Sequence, residues 1–326
     1  MFTKRASGVL LHPTSLPGPD GIGDLGPEIF RFLDFLSESK CHLWQVLPLG
    51  PTGYGDSPYQ CFSAFAGNPF MVSPALLLEN YLLTRTDLAD RPEFPAHTVD
   101  FGPVITWKLT LLDRAFEHFT SGSFTKVKKT YSEFCSQNKD WLDDFSLFMA
   151  IKESQGGVSW DNWPEGLRKR NPKDLAAFIK GDQKIIEKHK FRQFLFFEQW
   201  MKVKEYANSK EIRIIGDIPI FVAYDSADAW SHPELFFLDD AGKPTVVAGV
   251  PPDYFSPTGQ LWGNPLYRWD AHKQENYTWW KRRFEAVLKV VDIIRLDHFR
   301  GFAGYWEVPF GNPTAEIGRW VKGPGK

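Results

Sequence analysis

The stretch Val290-Val291-Asp292-Ile293-Ile294-Arg295-Leu296-Asp297-His298-Phe299-Arg300-Gly301 decides how the chain is read. Its apolar run from Val290 to Ile294, broken by one Asp, is long enough for a buried strand. Charge is loaded at the end of the run. Side chains alternate across a strand, so Arg295 and Asp297 share a face and Leu296 points away. A guanidinium beside a carboxylate favours its charged form and keeps it ionised near neutral pH. An ionised Asp at the C-terminal end of a buried parallel strand is where α/β barrels hold catalytic groups. A structural Arg–Asp pair capping the strand end is the competing reading of the stretch taken alone.

Other segments fit the same pattern. Ala6 to Leu11 reads as a first buried strand, ending at His12-Pro13. Pro27 to Leu36 reads as a helix, with Ile29, Phe32, Leu33 and Leu36 on one stripe and Pro27 at the start, where its missing N–H costs little. Leu43 to Leu49 is a second strand, and strand–helix–strand in that order argues for parallel pairing with a right-handed crossover. Glu211 to Ile218 is a third strand with Asp217 at its end. The helix before the opening stretch carries Trp280, Phe284, Val287, Leu288 and Val291 on one stripe.

Residues 1–67 thus supply two barrel strands, and residues 211–326 two more with a long active-site loop over 225–270. Residues 68–210 break the alternation and read as a mostly helical insertion. Trp160 and Trp163 within it read as packing or as ligand contacts. Gly21-Ile22-Gly23-Asp24-Leu25-Gly26 matches a dinucleotide fingerprint, but its context is wrong. The strand ends at Leu11, Pro13, Pro17 and Pro19 intervene, and no acidic residue closes the next strand, so the glycines read as a tight loop.

Two loops stand out for aromatic residues among chain breakers. Gly50 to Gln60 follows a strand on the face where barrel sites form, and Ser57 and Tyr59 there are candidate ligand contacts. Val246 to Asn264 is too aromatic for disorder. It reads as a covering flap that holds Asp253, Phe255, Gln260, Trp262 and Asn264. Aromatic residues make up 16% of the 326 residues, including 13 Trp and 28 Phe. Flat apolar rings with polar tips suit ligands such as sugars, apolar on one face and hydroxylated at the edge.

Composition narrows the classes further. A net charge of −2, with 43% hydrophobic and 24% charged residues, describes an ordinary soluble globular chain. No basic run points to nucleic acid or to an anionic membrane. The apolar patch after Met1-Phe2-Thr3-Lys4-Arg5 is too short for a signal-peptide core, and no stretch is long enough to span a bilayer. Cys41, Cys61 and Cys135 are far apart and read as reduced thiols of a cytoplasmic protein. The eight His show no metal-ligand spacing, so neither a metal nor another cofactor is expected. No G-x-S-x-G occurs to support a Ser hydrolase.

Four segments carry a family resemblance: Pro-Leu-Gly-Pro-Thr-Gly-Tyr-Gly-Asp-Ser-Pro-Tyr-Gln (48–60), Gly-Asp-Ile-Pro-Ile-Phe-Val-Ala (216–223), Gly-Val-Pro-Pro-Asp-Tyr-Phe (249–255) and Ile-Arg-Leu-Asp-His-Phe-Arg-Gly-Phe (294–302). They look like the 4-α-glucanotransferases, or amylomaltases, of glycoside hydrolase family 77 in the α-amylase superfamily. The resemblance implies a (β/α)8 TIM barrel with inserted subdomains and a maltodextrin or α-1,4-glucan substrate. It implies transfer of a glucan segment to a glucose or glucan acceptor by retaining double displacement. Asp297 would be the nucleophile and Arg295 would keep it ionised. Ser57, Tyr59, Asp217, Asp253, Phe255, Gln260, Trp262, Asn264 and His298 would line the subsites, and the flap around Tyr254 and Phe255 would keep water from the intermediate.

Retaining chemistry also needs a second carboxyl about 5–5.5 Å from the first. In the family this acid/base Glu follows the next barrel strand, and a stabilising Asp comes later. The chain stops at Lys326 before either, and only four of the eight strands of a closed barrel are legible. An N-terminal fragment, inactive alone, is therefore expected. A hydrolase of the same superfamily and a glucan-binding protein without catalysis are the alternatives.

Overall fold

The structure is a computed structural model that describes residues 5–325. Met1 to Lys4 and Lys326, which enter the readings of the two chain ends, lie outside the described residues. Among the described residues the strands are β1 (Gly8–Leu10), β2 (Leu43–Gln45), β3 (Arg213–Ile218), β4 (Val246–Val250), β5 (Gln260–Pro265), β6 (Ile293–Leu296), β7 (Gly304–Pro309) and β8 (Arg319–Lys322). They form a parallel sheet in the order β1-β2-β3-β6 and an antiparallel sheet in the order β5-β4-β7-β8.

Each parallel strand is shorter than its apolar run. Pairing does extend past the ends of β1 and β2, where the Leu11 N–H bonds Gln45 O and the Val46 N–H bonds Ile215 O. Pro48 then removes a donor. The opening stretch also divides: Val290 ends the Thr278–Val290 helix, and β6 starts only at Ile293. Asp292 between them is a ladder substitute, since its Oδ2 accepts the Ile214 N–H at 2.8 Å. The sheet buries one face far more than the other. Trp44, Val46, Ile212 and Ile214 pack beneath helices, while Leu10 stays 56% exposed, so β1 and β6 are not the fully buried strands their composition suggests. Gly216 in β3 packs against the segment that enters β6: a Cβ there would meet Val291 Cγ1 at 2.8 Å.

Residues 68–210 are helical, but they serve two cores. The Gln183–Ser209 helix is the crossover from β2 to β3. Its Phe191, Leu195, Trp200 and Val203 share a core with the Pro27–Glu38 helix, the Phe101–Ser121 helix and the sheet. A boundary at residue 210 separates this helix from the strands it covers. The Lys139–Ser154 helix touches the crossover helix through Trp141 and Phe197, and it builds a second core with Trp160, Trp163, Trp230 and Tyr267. Trp160 and Trp163 are buried, which accounts for them as packing. The glycine-rich segment 21–26 forms the loop before the Pro27–Glu38 helix, where a Cβ on Gly23 would sit 2.1 Å from Pro13 O.

The expected loop over 225–270 is corrected by the structure. It contains the short Ala227–Ser231 helix and both β4 and β5. β4 pairs with β7 far along the chain, from Val246 opposite Pro309 to Gly249 opposite Trp306, a partnership that no local pattern reveals.

Candidate active site

Parallel register builds the centre of the site. Asp217 in β3 lies directly opposite Arg295 in β6. Two residues on, Asp297 returns to the same face. Arg295 consequently sits between two carboxylates: Nη1 donates to Asp217 Oδ2 at 2.6 Å and Nη2 to Asp297 Oδ1 at 2.7 Å. The Tyr59 hydroxyl, arriving on the loop after β2, donates to the same Asp217 oxygen at 2.9 Å.

Solvent access divides these groups by role. The Asp217 side chain is fully enclosed, whereas Asp297 is 39% exposed and Arg295 45% exposed. Burial raises the pKa of Asp217 in spite of Tyr59 and Arg295, and its Oδ1 has no partner among the described residues. Burial opposes the charge on Arg295, yet Asp217 and Asp297 together leave its pKa raised. The Tyr59 phenol is pushed up to about 12, first by burial and then by its bond to Asp217. Asp297 is therefore a solvent-facing carboxylate held by a guanidinium that is itself anchored from behind.

A wall of rings flanks Asp297. His298 is held in the left-handed region at φ 50°, and its ring meets Trp262 edge-on at 5.0 Å. Trp262 Nε1 donates to Gln260 Oε1 at 3.1 Å. Phe221 approaches both rings, at 6.4 Å from His298 and 6.5 Å from Trp262. Burial lowers the pKa of His298, and its Nε2 has no partner among the described residues.

Not every expected contact faces this space. Asp217, expected against the ligand, has no exposed side chain with which to touch one; it anchors Arg295 and Tyr59. Asn264 is also buried, and its amide donates to the Val222 carbonyl at 2.8 Å. Asp253 shapes a turn by accepting the Phe255 and Ser256 N–H groups, each at 2.9 Å. Ser57 Oγ accepts from the Tyr59 N–H at 3.3 Å, fixing the turn that presents the phenol. Tyr254 and Phe255 stand 97% and 90% exposed at the tip between β4 and β5. Phe221 escaped the sequence reading because it looks like ordinary core. Among the described residues no group of three or more His, Cys, Asp or Glu could hold a metal ion. No helix there is long and apolar enough to cross a membrane.

A family model described as 4-alpha-glucanotransferase matches residues 11–326. The chain belongs to this family. It is 52% identical over 326 residues to a 4-alpha-glucanotransferase of Thermus thermophilus, a match that covers all of this chain and 64% of that one. A 4-alpha-glucanotransferase of Synechocystis sp. is 49% identical over 329 residues, covering all of this chain and 65% of the relative. The α/β fold is that of an amylomaltase from Streptococcus agalactiae, solved in complex with acarbose. That structure superposes with a TM-score of 0.94 at 41% identity, over 98% of this chain and 65% of the other. The chain thus spans about 64–65% of the length of these relatives.

Proposed function

We propose that the chain carries the nucleophile side of a glucan-transferring site, on a parallel sheet that forms the first four strands of a (β/α)8 barrel. The observation that carries this reading is Arg295 bridging the enclosed Asp217 and the exposed Asp297 in a chain of this family. Asp297 attacks the anomeric carbon of an α-1,4-glucan, the glycosidic bond breaks, and a covalent glucosyl-enzyme forms. An acceptor hydroxyl then displaces Asp297 with net retention. Arg295 holds the attacking carboxylate through the bond from Nη2 to Asp297 Oδ1. Ser57, Tyr59, Gln260, Trp262 and His298 surround the sugar. Asp253, Phe255 and the flap tip around Tyr254 approach it when glucan binds and favour a sugar acceptor over water.

Departure of a sugar needs a proton from a second carboxyl. Glu307 is a poor candidate, because it is buried and accepts from Arg319 Nε at 2.8 Å. Asp217 is enclosed. This favours a second reading in which the 326 residues bind glucan without turning it over.

A donor that needs no acid separates chemistry from its missing proton. With α-maltotriosyl fluoride, fluoride leaves as Asp297 attacks. We expect fluoride release and a mass increase on the protein equal to the glycosyl group, neither of which occurs in Asp297→Asn. Maltotriose itself should be turned over negligibly by this chain. Equal fluoride release by Asp297→Asn removes the nucleophile assignment, and acarbose binding with no fluoride release in the parent chain selects the binding reading.

A further inference from the structure

Two buried polar groups outside the Arg295 cluster tie together the segments that carry Asp217 and Tyr59. Arg283, on the Thr278–Val290 helix, is 3% exposed. Its Nη2 donates to the Pro219 carbonyl at 2.7 Å and its Nη1 to the Ile220 carbonyl at 3.2 Å, just beyond Asp217. The guanidinium is boxed by Trp279 and Trp280, with ring centroids 5.4 and 5.0 Å away. Asp228, 4% exposed, holds the far end of the same segment. Its Oδ2 accepts the Ala64 N–H at 2.8 Å, and the neighbouring Ala227 N–H donates to Phe62 O at 2.8 Å. Residues 62–64 close the loop that presents Tyr59. Gln193 also grips that loop, accepting the Gly67 N–H at 2.7 Å and donating to its carbonyl at 2.9 Å.

Burying an arginine and an aspartate is costly, and apolar residues of similar volume would fill the space at lower cost. What the polar pair adds is direction. A planar fork can hold two successive carbonyls at once, and a carboxylate can hold one N–H of a neighbouring loop. Both contacts fall on backbone that brackets the Tyr59–Asp217 hydrogen bond. That bond shares its acceptor oxygen with Arg295.

We propose that Arg283 and Asp228 are positioning residues that fix the segment 217–228 against the loop 58–67, and so set the Tyr59–Asp217 bond that aims Arg295 at Asp297. Their effect on ligand binding rests on the glucan reading above; their effect on geometry does not.

Three variants of the full 326-residue chain test this. Arg283→Lys keeps the charge but cannot span both carbonyls. Asp228→Ala removes the acceptor for Ala64, and Asp228→Asn retains one. Crystal structures of Arg283→Lys and Asp228→Ala should show the Tyr59 Oη–Asp217 Oδ2 distance lengthened past the hydrogen-bond limit of about 3.5 Å. Asp228→Asn should keep it. Acarbose affinity by calorimetry should weaken about tenfold in the first two and hold in the third, because small misplacements of site groups are costly. A purely structural role would lower thermal stability without moving the bond, so folded Arg283→Lys and Asp228→Ala variants with the 2.9 Å contact intact overturn the proposal. Should Asp228→Ala not fold, Arg283→Lys decides. A parent chain that does not bind acarbose defeats the glucan reading alone, since the bond length still judges the positioning role.

Discussion

The two sheets supply facing walls of one candidate site, but they rest on different kinds of information. In the parallel sheet, the residues that matter lie at or just past strand ends, and strand pairing joins them across the chain. Arg295 and Asp297 are two apart, but Asp217, next to the last residue of β3, is 78 residues from Arg295 and 158 from Tyr59. In the antiparallel sheet, Trp262 reaches His298 only because β4 and β5 are recruited by β7, beyond the intervening helix and β6. The ends of the parallel strands are marked by their own residues, whereas β4 and β5 depend for their place on a partner that appears later in the chain. One position in each sheet shows how tightly the chain around it is packed.

Glycines measure this. Gly216 in β3 has no room, since an added Cβ would lie 2.8 Å from Val291 Cγ1 and 2.9 Å from Val291 Cγ2, and Val291 is itself buried. Gly216→Ala should cost about 1–3 kcal/mol through overpacking. Gly263 in β5 adopts φ +76° with open space around it. Asn adopts that left-handed conformation more readily than other L-residues, so Gly263→Asn should cost about 1 kcal/mol or less. Urea midpoints of the two variants make the comparison. Equal losses would mean that β3 and β5 are equally tightly built at these two positions.

Acid should stress both regions together. Burial lowers His272, set among Tyr267, Trp269 and Trp279, and His189, on the crossover helix and bonded to Glu153, each to about 4. Both folded pKa values lie below the ordinary 6.5, so the unfolded chain takes up protons first. Their contribution to stability is complete above pH 6.5 and is lost as pH falls toward 4. Glu153 extends the loss: its bond to His189 lowers it from 4.5 to about 2, so its share disappears below pH 4.5. Thermal midpoints should fall steadily on acidification. His272→Phe, which fills the same aromatic box without a titrating group, should flatten the slope between pH 6.5 and 4. An unchanged slope in that variant would place the acid sensitivity elsewhere.

The same contrast explains what could be read in advance. Positions of the four parallel strands followed from apolar runs, two ended by proline and two by charge, and Tyr59 stood out as an aromatic residue among breakers. Asp292 did not, because nothing in its neighbourhood says that a side-chain carboxylate will cap Ile214. Asn264 and Asp217 have the composition of ligand contacts. Only tertiary packing shows that both are enclosed, one serving Val222 and the other Arg295 and Tyr59. Arg283 and Asp228 were invisible for the same reason: a charged residue on an amphipathic helix normally reads as solvated, and these two point inward.

The smallest effect on stability belongs to the tip between β4 and β5. Phe255 is 90% exposed and its ring meets only Tyr254 among the described aromatic contacts, edge-on at 5.8 Å. A large ring left in water by its own fold contributes little to that fold. Phe255→Ala should leave the thermal midpoint nearly unchanged, within about 0.5 kcal/mol in stability terms. If the tip closes over bound glucan, the same variant should weaken acarbose binding and, with the fluoride donor, raise the share of glycosyl groups passed to water instead of to a sugar. A variant that keeps both the affinity and the partition would confine the site to the rings around His298, whereas one that loses stability would show that the tip packs somewhere in solution.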